Sequence, residues 1–182
     1  MRQGDAYPRV FPSGKVVTMP PIRGFLALLV STALAGCPSA VPPCPSGSQE
    51  DEPRQAQLRA ALAEDPRGAA LLAEAPPHRL CFATREEEAG ISGRVLRVPA
   101  AARDEAATAR FGHLLLHLVE GDPWPPAAGR SCAERLALAL EREARGHALE
   151  DRLLKRAGLS ARPPSALATV LAGYRRRCEE GG

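Results

Sequence analysis

Apolar positions recur at helical spacing through most of the second half of the chain and in two shorter stretches before it. Leu58 and Leu62, four residues apart, predict a helix over residues 53–63, and a second short helix spans 66–75, stopped by Pro76 and Pro77. Two runs, RLCFAT at 79–84 and GRVLRV at 93–98, have strand-like patterning, the second with Val95 and Leu96 between Arg94 and Arg97. Separated only by REEEAGIS, they predict a small hairpin. A strong helical pattern follows over 101–120 and ends at Gly121 with Pro123 just beyond. After the loop GDPWPPAAGR, Ser131 with Glu134 three residues on reads as a capping box opening a long helix to about residue 157, which Gly158 ends. A last helix over 164–177 carries Leu167, Val170, Leu171 and Tyr174 on one face. The expected fold is mainly α with a small β-hairpin (α+β), a single helical domain over 55–182. Aromatic content of only 4% means that its core must be built mainly from Ala, Leu and Val.

The pattern is different upstream. Residues 38–54, PSAVPPCPSGSQEDEPR, hold almost nothing to bury and read as a flexible tether. Before them, FLALLVSTALAGC gives an apolar stretch of about 13 residues, preceded by Arg23; this suits a secretory leader and falls short of the roughly 20 needed for a bilayer span. Leu34-Ala35-Gly36-Cys37 resembles the lipobox of bacterial lipoproteins. The resemblance implies lipidation of the Cys37 thiol, cleavage before it and acylation of the new amino terminus. Attachment through several acyl chains would be lasting, where one chain holds only weakly. The expected plan is an unassigned stretch at 1–18, upstream of a possible true start at Met19, a signal peptide at 19–36, a lipidated tether at 37–54, and the domain at 55–182. By analogy with lipoproteins of enteric bacteria, Pro38 in place of an aspartate favours the outer membrane, facing the periplasm or surface, with the membrane itself as partner through Cys37.

Charge supports the same plan. The chain has 24 Lys and Arg against 21 Asp and Glu, but Arg2, Arg9, Lys15 and Arg23 fall before Cys37 against Asp5 alone, which leaves 20 of each sign in the mature portion. The one dense basic run, Arg175-Arg176-Arg177 beside Tyr174, is too little for a nucleic-acid surface, and none is expected. Four cysteines remain after Cys37. An oxidising compartment makes disulfides the expectation, and of three possible connectivities Cys81 with Cys132 and Cys44 with Cys178 is the favoured one. With no C-x-x-C pair, a thioredoxin-like site or cysteine zinc cluster is not supported.

Candidate chemistry lies in ARFGHLLLHLVEG. His113 and His117 are four residues apart, about 40° around a helix, so both imidazoles project from one face and can chelate a metal ion; Glu120 lies close to the same face. Here the chain resembles the small zinc-dependent peptidases of the zincin type, minimal gluzincins in particular. The strand GRVLRVP, the helix with HLLLH and the later helix with EREARGHALE stand in the family's order over residues 79–157. What the resemblance implies is zinc held by His113, His117 and Glu143, or in second place Glu141, with one position left open. The residue after the first histidine, glutamate in active zincins, is Leu114. Without that general base the usual hydrolytic mechanism is lost. The expectation is a degenerate scaffold with a structural or partner-binding role, no catalytic residue and no cofactor; the alternative is a zinc-dependent hydrolase. The residues also admit a plainer reading, a core helix with two histidines at its margin. Glu141, Glu143, His147, Glu150 and Asp151 would then form a solvated face paired with Arg142, Arg145 and Arg152.

Overall fold

The computed structural model describes residues 40–126 and 128–180. The expected lipidation site Cys37, the leader at 19–36 and residues 1–18 lie outside them. No helix among the described residues is long and apolar enough to cross a membrane.

The domain is mainly helical with a small sheet, in the order β1 (Ser48–Gln49), α1 (Glu52–Ala63), α2 (Pro66–Glu74), β2 (Arg79–Ala83), β3 (Gly90–Ser92), β4 (Val95–Pro99), α3 (Asp104–Glu120), α4 (Cys132–Arg156) and α5 (Pro164–Glu179). Every predicted helix is present within a few residues of its expected bounds. Local chemistry explains the starts. Asp51 accepts from the Arg54 amide at the head of α1, and Asp65 accepts from the Arg67 and Gly68 amides at the head of α2. Ser131 and Glu134 form the full capping box of α4.

The sheet departs from the expected hairpin. β2 and β4 are parallel neighbours, with Leu80 opposite Leu96 and Phe82 opposite Val98, and the sheet order is β1-β2-β4-β3. The reversal comes from residues 90–92 inside REEEAGIS, which form β3 and run antiparallel to β4 around Gly93. A strand of three residues with one large apolar side chain is too short to register as alternation. The chain thus goes out along β3 and back along β4, which slots between β3 and β2.

The tether also changes character. Within 37–54, Cys44 is bonded to Cys81, Ser48–Gln49 pairs with β2, and Arg54 donates to the carbonyls of Ala100 and Ala102 and to Asp104. A disulfide and backbone pairing need no apolar side chains, so a segment with nothing to bury is still held to the domain. The cysteine pairing is corrected too: Cys44 joins Cys81 and Cys132 joins Cys178, in place of Cys81 with Cys132 and Cys44 with Cys178. β1 lies beside β2 and carries Cys44 to it, while α5 returns along α4 and brings Cys178 to the helix start, with Cα atoms 5.7 Å apart.

One core joins these elements. Leu58 and Leu62 of α1, Leu71 of α2, Leu80, Phe82, Leu96 and Val98 of the sheet, Phe111 and Leu115 of α3, and Leu149 and Leu153 of α4 are all buried in it. Helix α3 is surrounded: residues 107–109 and 111–117 are buried without a break. That places His113 and His117 inside the molecule, not at its margin.

Candidate metal centre

His113 and His117 leave α3 one turn apart, and His113 meets α4 at Gly146 while His117 faces Glu143. A Cβ on Gly146 would stand 2.6 Å from His113 Nε2, so only a residue without one lets the imidazole lie against the helix. On α4 the buried stripe runs Ala139, Glu143, His147, Glu150, Leu154, and its three central members face the histidines. His113, His117, Glu143, His147 and Glu150 are all buried, which overturns the solvated-face reading for the last three. Glu141 is exposed and pairs with Arg145, away from the two histidines. Glu120 turns away to Arg67 and Arg145, and Asp151 accepts from the Arg162 amide.

Three atoms converge. His113 Nε2 and His117 Nε2 are 2.8 Å apart, and Glu143 Oε2 is 3.3 Å from the first and 3.6 Å from the second. Four ligands at the usual zinc–nitrogen distance of 2.0–2.1 Å would stand about 3.3–3.4 Å apart at the corners of a tetrahedron. The triangle is close to one face of it.

The outer contacts fix which lone pairs point inward. Glu150 Oε2 lies 2.8 Å from His113 Nδ1. A carboxylate only accepts, so Nδ1 carries the proton, and in the neutral ring Nε2 then presents its lone pair. Tyr174 donates its hydroxyl to Glu143 Oε1 at 2.7 Å, leaving Oε2 for the centre. These are the kinds of partner that orient ligands around metals, a carboxylate behind a histidine and a donor behind a carboxylate. Burial works to raise the Glu143 carboxyl, but without a cation hydrogen bonds from His113, His117 and Tyr174 outweigh it and hold the group well below the usual carboxylate range, a role that a cation would take over from the two imidazoles. The Tyr174 phenol is pushed far up by burial and by Glu143, so it stays a donor. His147 is held below its ordinary value chiefly by burial.

Without a cation the arrangement is poorly satisfied. With Nδ1 protonated on a neutral His113, its Nε2 can only accept from His117, which leaves His117 Nδ1 as a bare lone pair; that atom and His147 Nε2 are buried with no hydrogen-bond partner. A shared cation lets both Nε2 atoms act through lone pairs instead of facing each other at 2.8 Å. His113, His147 and Glu150 also lie close enough to suggest a second metal group. Glu150, however, is already countered by Arg162 at 2.8 Å and Arg110 at 3.8 Å, which makes it the outer partner of His113 and a poor second ligand set.

One side of the triangle opens on a cleft of about 310 Å³, lined by His113, His117, Glu143, Leu114, Tyr174 and the β3 edge at Gly90 and Ile91, among others. Trp124 stacks on Tyr174 at 5.1 Å with planes 3° apart, and Arg135 lies over the indole at 4.1 Å. The fourth histidine, His78, plays no part. It is bound between the Pro76 carbonyl and the Arg59 guanidinium, away from the others.

Of the residues named from sequence, His113, His117 and Glu143 come together and Glu141 does not. Sequence reading missed Glu150, Gly146 and Tyr174 as parts of one arrangement. Their signal was present as a polar stripe at positions 143, 147 and 150, in line with apolar Ala139 and Leu154. Comparisons with protein-family models, curated proteins and solved structures give no match for this chain.

Proposed function

We propose that this is a zinc-binding, non-hydrolytic protein of the bacterial cell envelope, anchored through a lipidated Cys37. The observation that carries the zinc reading is the buried convergence of His113 Nε2, His117 Nε2 and Glu143 Oε2 within 2.8–3.6 Å, each with its own orienting partner or free lone pair. Two imidazoles and one carboxylate are a borderline donor set suited to zinc. Bound there, zinc would supply a Lewis-acidic centre with one position toward the cleft.

The lack of hydrolysis rests on Leu114. Its side chain borders the cleft where the related peptidases carry a general base. The remaining carboxylates are committed: Glu150 to His113 and Arg162, Glu120 to two arginines. Asp122, which also borders the cleft, is exposed and caps the Trp124 amide. Loss of a positioned base costs about 10²–10⁴-fold in rate. The envelope reading rests on the LAGC motif and on two disulfides, which persist in oxidising compartments.

Metal analysis of the purified chain tests the centre: one zinc per chain, lost in His113→Ala and in Glu143→Ala, with no cleavage of unstructured protein substrates. A chain that holds no stoichiometric zinc after exposure to it sinks the metal reading. Cleavage that disappears with His113→Ala would replace it with the hydrolase. Intact mass of the membrane fraction tests the anchor; a chain that does not begin at a lipid-modified Cys37 removes it.

A further inference from the structure

We infer that the cleft beside the metal centre binds a small aliphatic monocarboxylate, its carboxylate held between the metal and Arg110 and its alkyl body against Leu114. The inference rests on the zinc reading and deepens it.

Charge selects the head group. Apart from the ligands, the cleft is bordered by Arg110 and Arg177 against Asp122 alone, and zinc would carry two charges against the one of Glu143. Two positive charges are left in excess. Arg110 is half-buried one turn before His113 on α3, and the Glu150 carboxylate stands 3.8 Å from it, beyond hydrogen-bond reach. Glu150 meanwhile holds Arg162 at 2.8 Å and His113 at 2.8 Å. A half-buried guanidinium with donors to spare, beside a metal with an open position, matches a carboxylate.

The walls select the body. Leu114, Ile91 and Val170 line the same cleft. Leu114 is 3% exposed and stands next in sequence to a metal-binding histidine, so the substitution that removes a base installs an apolar wall at the open position. A carboxylate side chain there would repel the proposed ligand; leucine accepts its alkyl chain. The volume of about 310 Å³ lies at the small end of ligand sites, which fits a short chain.

Calorimetry on the purified full chain, first shown to hold one zinc, reads the outcome with butanoate, its neutral isostere butanamide, and inorganic phosphate. Butanoate should bind, butanamide at least about tenfold more weakly, and Arg110→Gln should weaken butanoate by about tenfold while zinc stoichiometry stays at one. Leu114→Glu should abolish butanoate binding with zinc retained. Equal binding of acid and amide, phosphate binding without butanoate binding, or no heat from any of them at millimolar concentration overturns the inference and leaves the zinc reading standing. Absence of zinc, read first, removes both. If Arg110→Gln fails to fold, the acid-to-amide comparison on the unaltered chain decides.

Discussion

Gly146 sits in mid-helix, where glycine is less favourable than alanine by about 1 kcal/mol. Its φ is not in the left-handed region, so local conformation does not require it; the His113 ring does, because a Cβ would come within 2.6 Å of Nε2. Gly146→Ala therefore separates two effects that usually travel together. Helix propensity favours the variant, while His113 must leave its position against α4. The expected outcome is a metal-free domain within about 1 kcal/mol of the parent, with zinc affinity lowered by about 10–100-fold, the scale seen when a ligand's support is disturbed. Competition with a chromophoric chelator measures the affinity, and denaturant unfolding of the metal-free forms measures the stability. Unchanged affinity would show that His113 does not need this contact.

Asp65 shows the same residue-level logic in a structural role. Burial works against its ionisation, but the Arg152 guanidinium and the Gly68 and Arg67 amides outweigh this and hold the carboxyl below its ordinary value. A folded-state value below the unfolded one gives stability that is present above the unfolded value, about 3.9, and lost as pH falls through the folded one. Asp65→Asn keeps a capping oxygen but removes the charge that Arg152 answers, so it should cost about 1 kcal/mol at neutral pH. The gap between variant and parent should narrow as pH drops below about 4. Urea midpoints at two pH values check both statements.

At the scale of elements, α5 is held differently from the rest. None of its residues is buried, so its attachment depends on Tyr174, on the Trp124 stack and on the Cys132–Cys178 bond that ties its end to the start of α4. The bond closes a loop across a sequence separation of 46, for which the chain-entropy model gives about 4 kcal/mol. Replacing both cysteines by alanine should free α5 before the core unfolds. Trp124 is the one tryptophan of the chain, so its fluorescence reports the loss of the Tyr174 stack directly. A shifted emission at temperatures where far-ultraviolet dichroism still shows a folded core is the expected result; coincident transitions would mean that α5 is part of the cooperative unit. Loss of Tyr174 also takes the donor from Glu143 Oε1, so zinc affinity should fall in the same variant.

The elements differ in how far sequence reveals them. Helices α1 to α5 were legible because their signals are local: the capping box at Ser131, stops at Pro76, Gly121 and Gly158, and apolar residues at helical spacing. Strand order was not legible, because β3 is three residues long and the partner of β2 is chosen by a chain reversal that no residue in β2 encodes. The disulfides failed for the same reason, since pairing follows from which elements become neighbours. In the candidate centre, H-x-x-x-H was visible because both ligands share one helix. Glu143 was reached through resemblance, whereas Glu150, Gly146 and Tyr174 act across elements and became visible only once α3, α4 and α5 had been brought together.

At the scale of the whole molecule, the centre sits where the domain is most expensive to disturb. Helix α3 packs against α1, α2, α4 and the sheet, and its middle carries two histidines that face a buried glutamate on α4. Burying such groups without full partners is unfavourable, and orphaned nitrogens on His117 and His147 show that the partners are incomplete. A cation bound to the native state and not to the unfolded one would answer the two Nε2 atoms and Glu143 Oε2 that converge there, and would couple binding to global stability. The gain follows from mass action: at 100 times the dissociation constant it is about 2.7 kcal/mol, which for a domain of this size raises the melting temperature by roughly 8–10 °C. Calorimetric melts of the chain with zinc and with chelator should differ by that amount, and the difference should vanish in His113→Ala and in Glu143→Ala. Magnesium, which prefers oxygen ligands and octahedral geometry, should give no comparable shift. A zinc effect of equal size in the His113→Ala variant would place the binding elsewhere on the molecule.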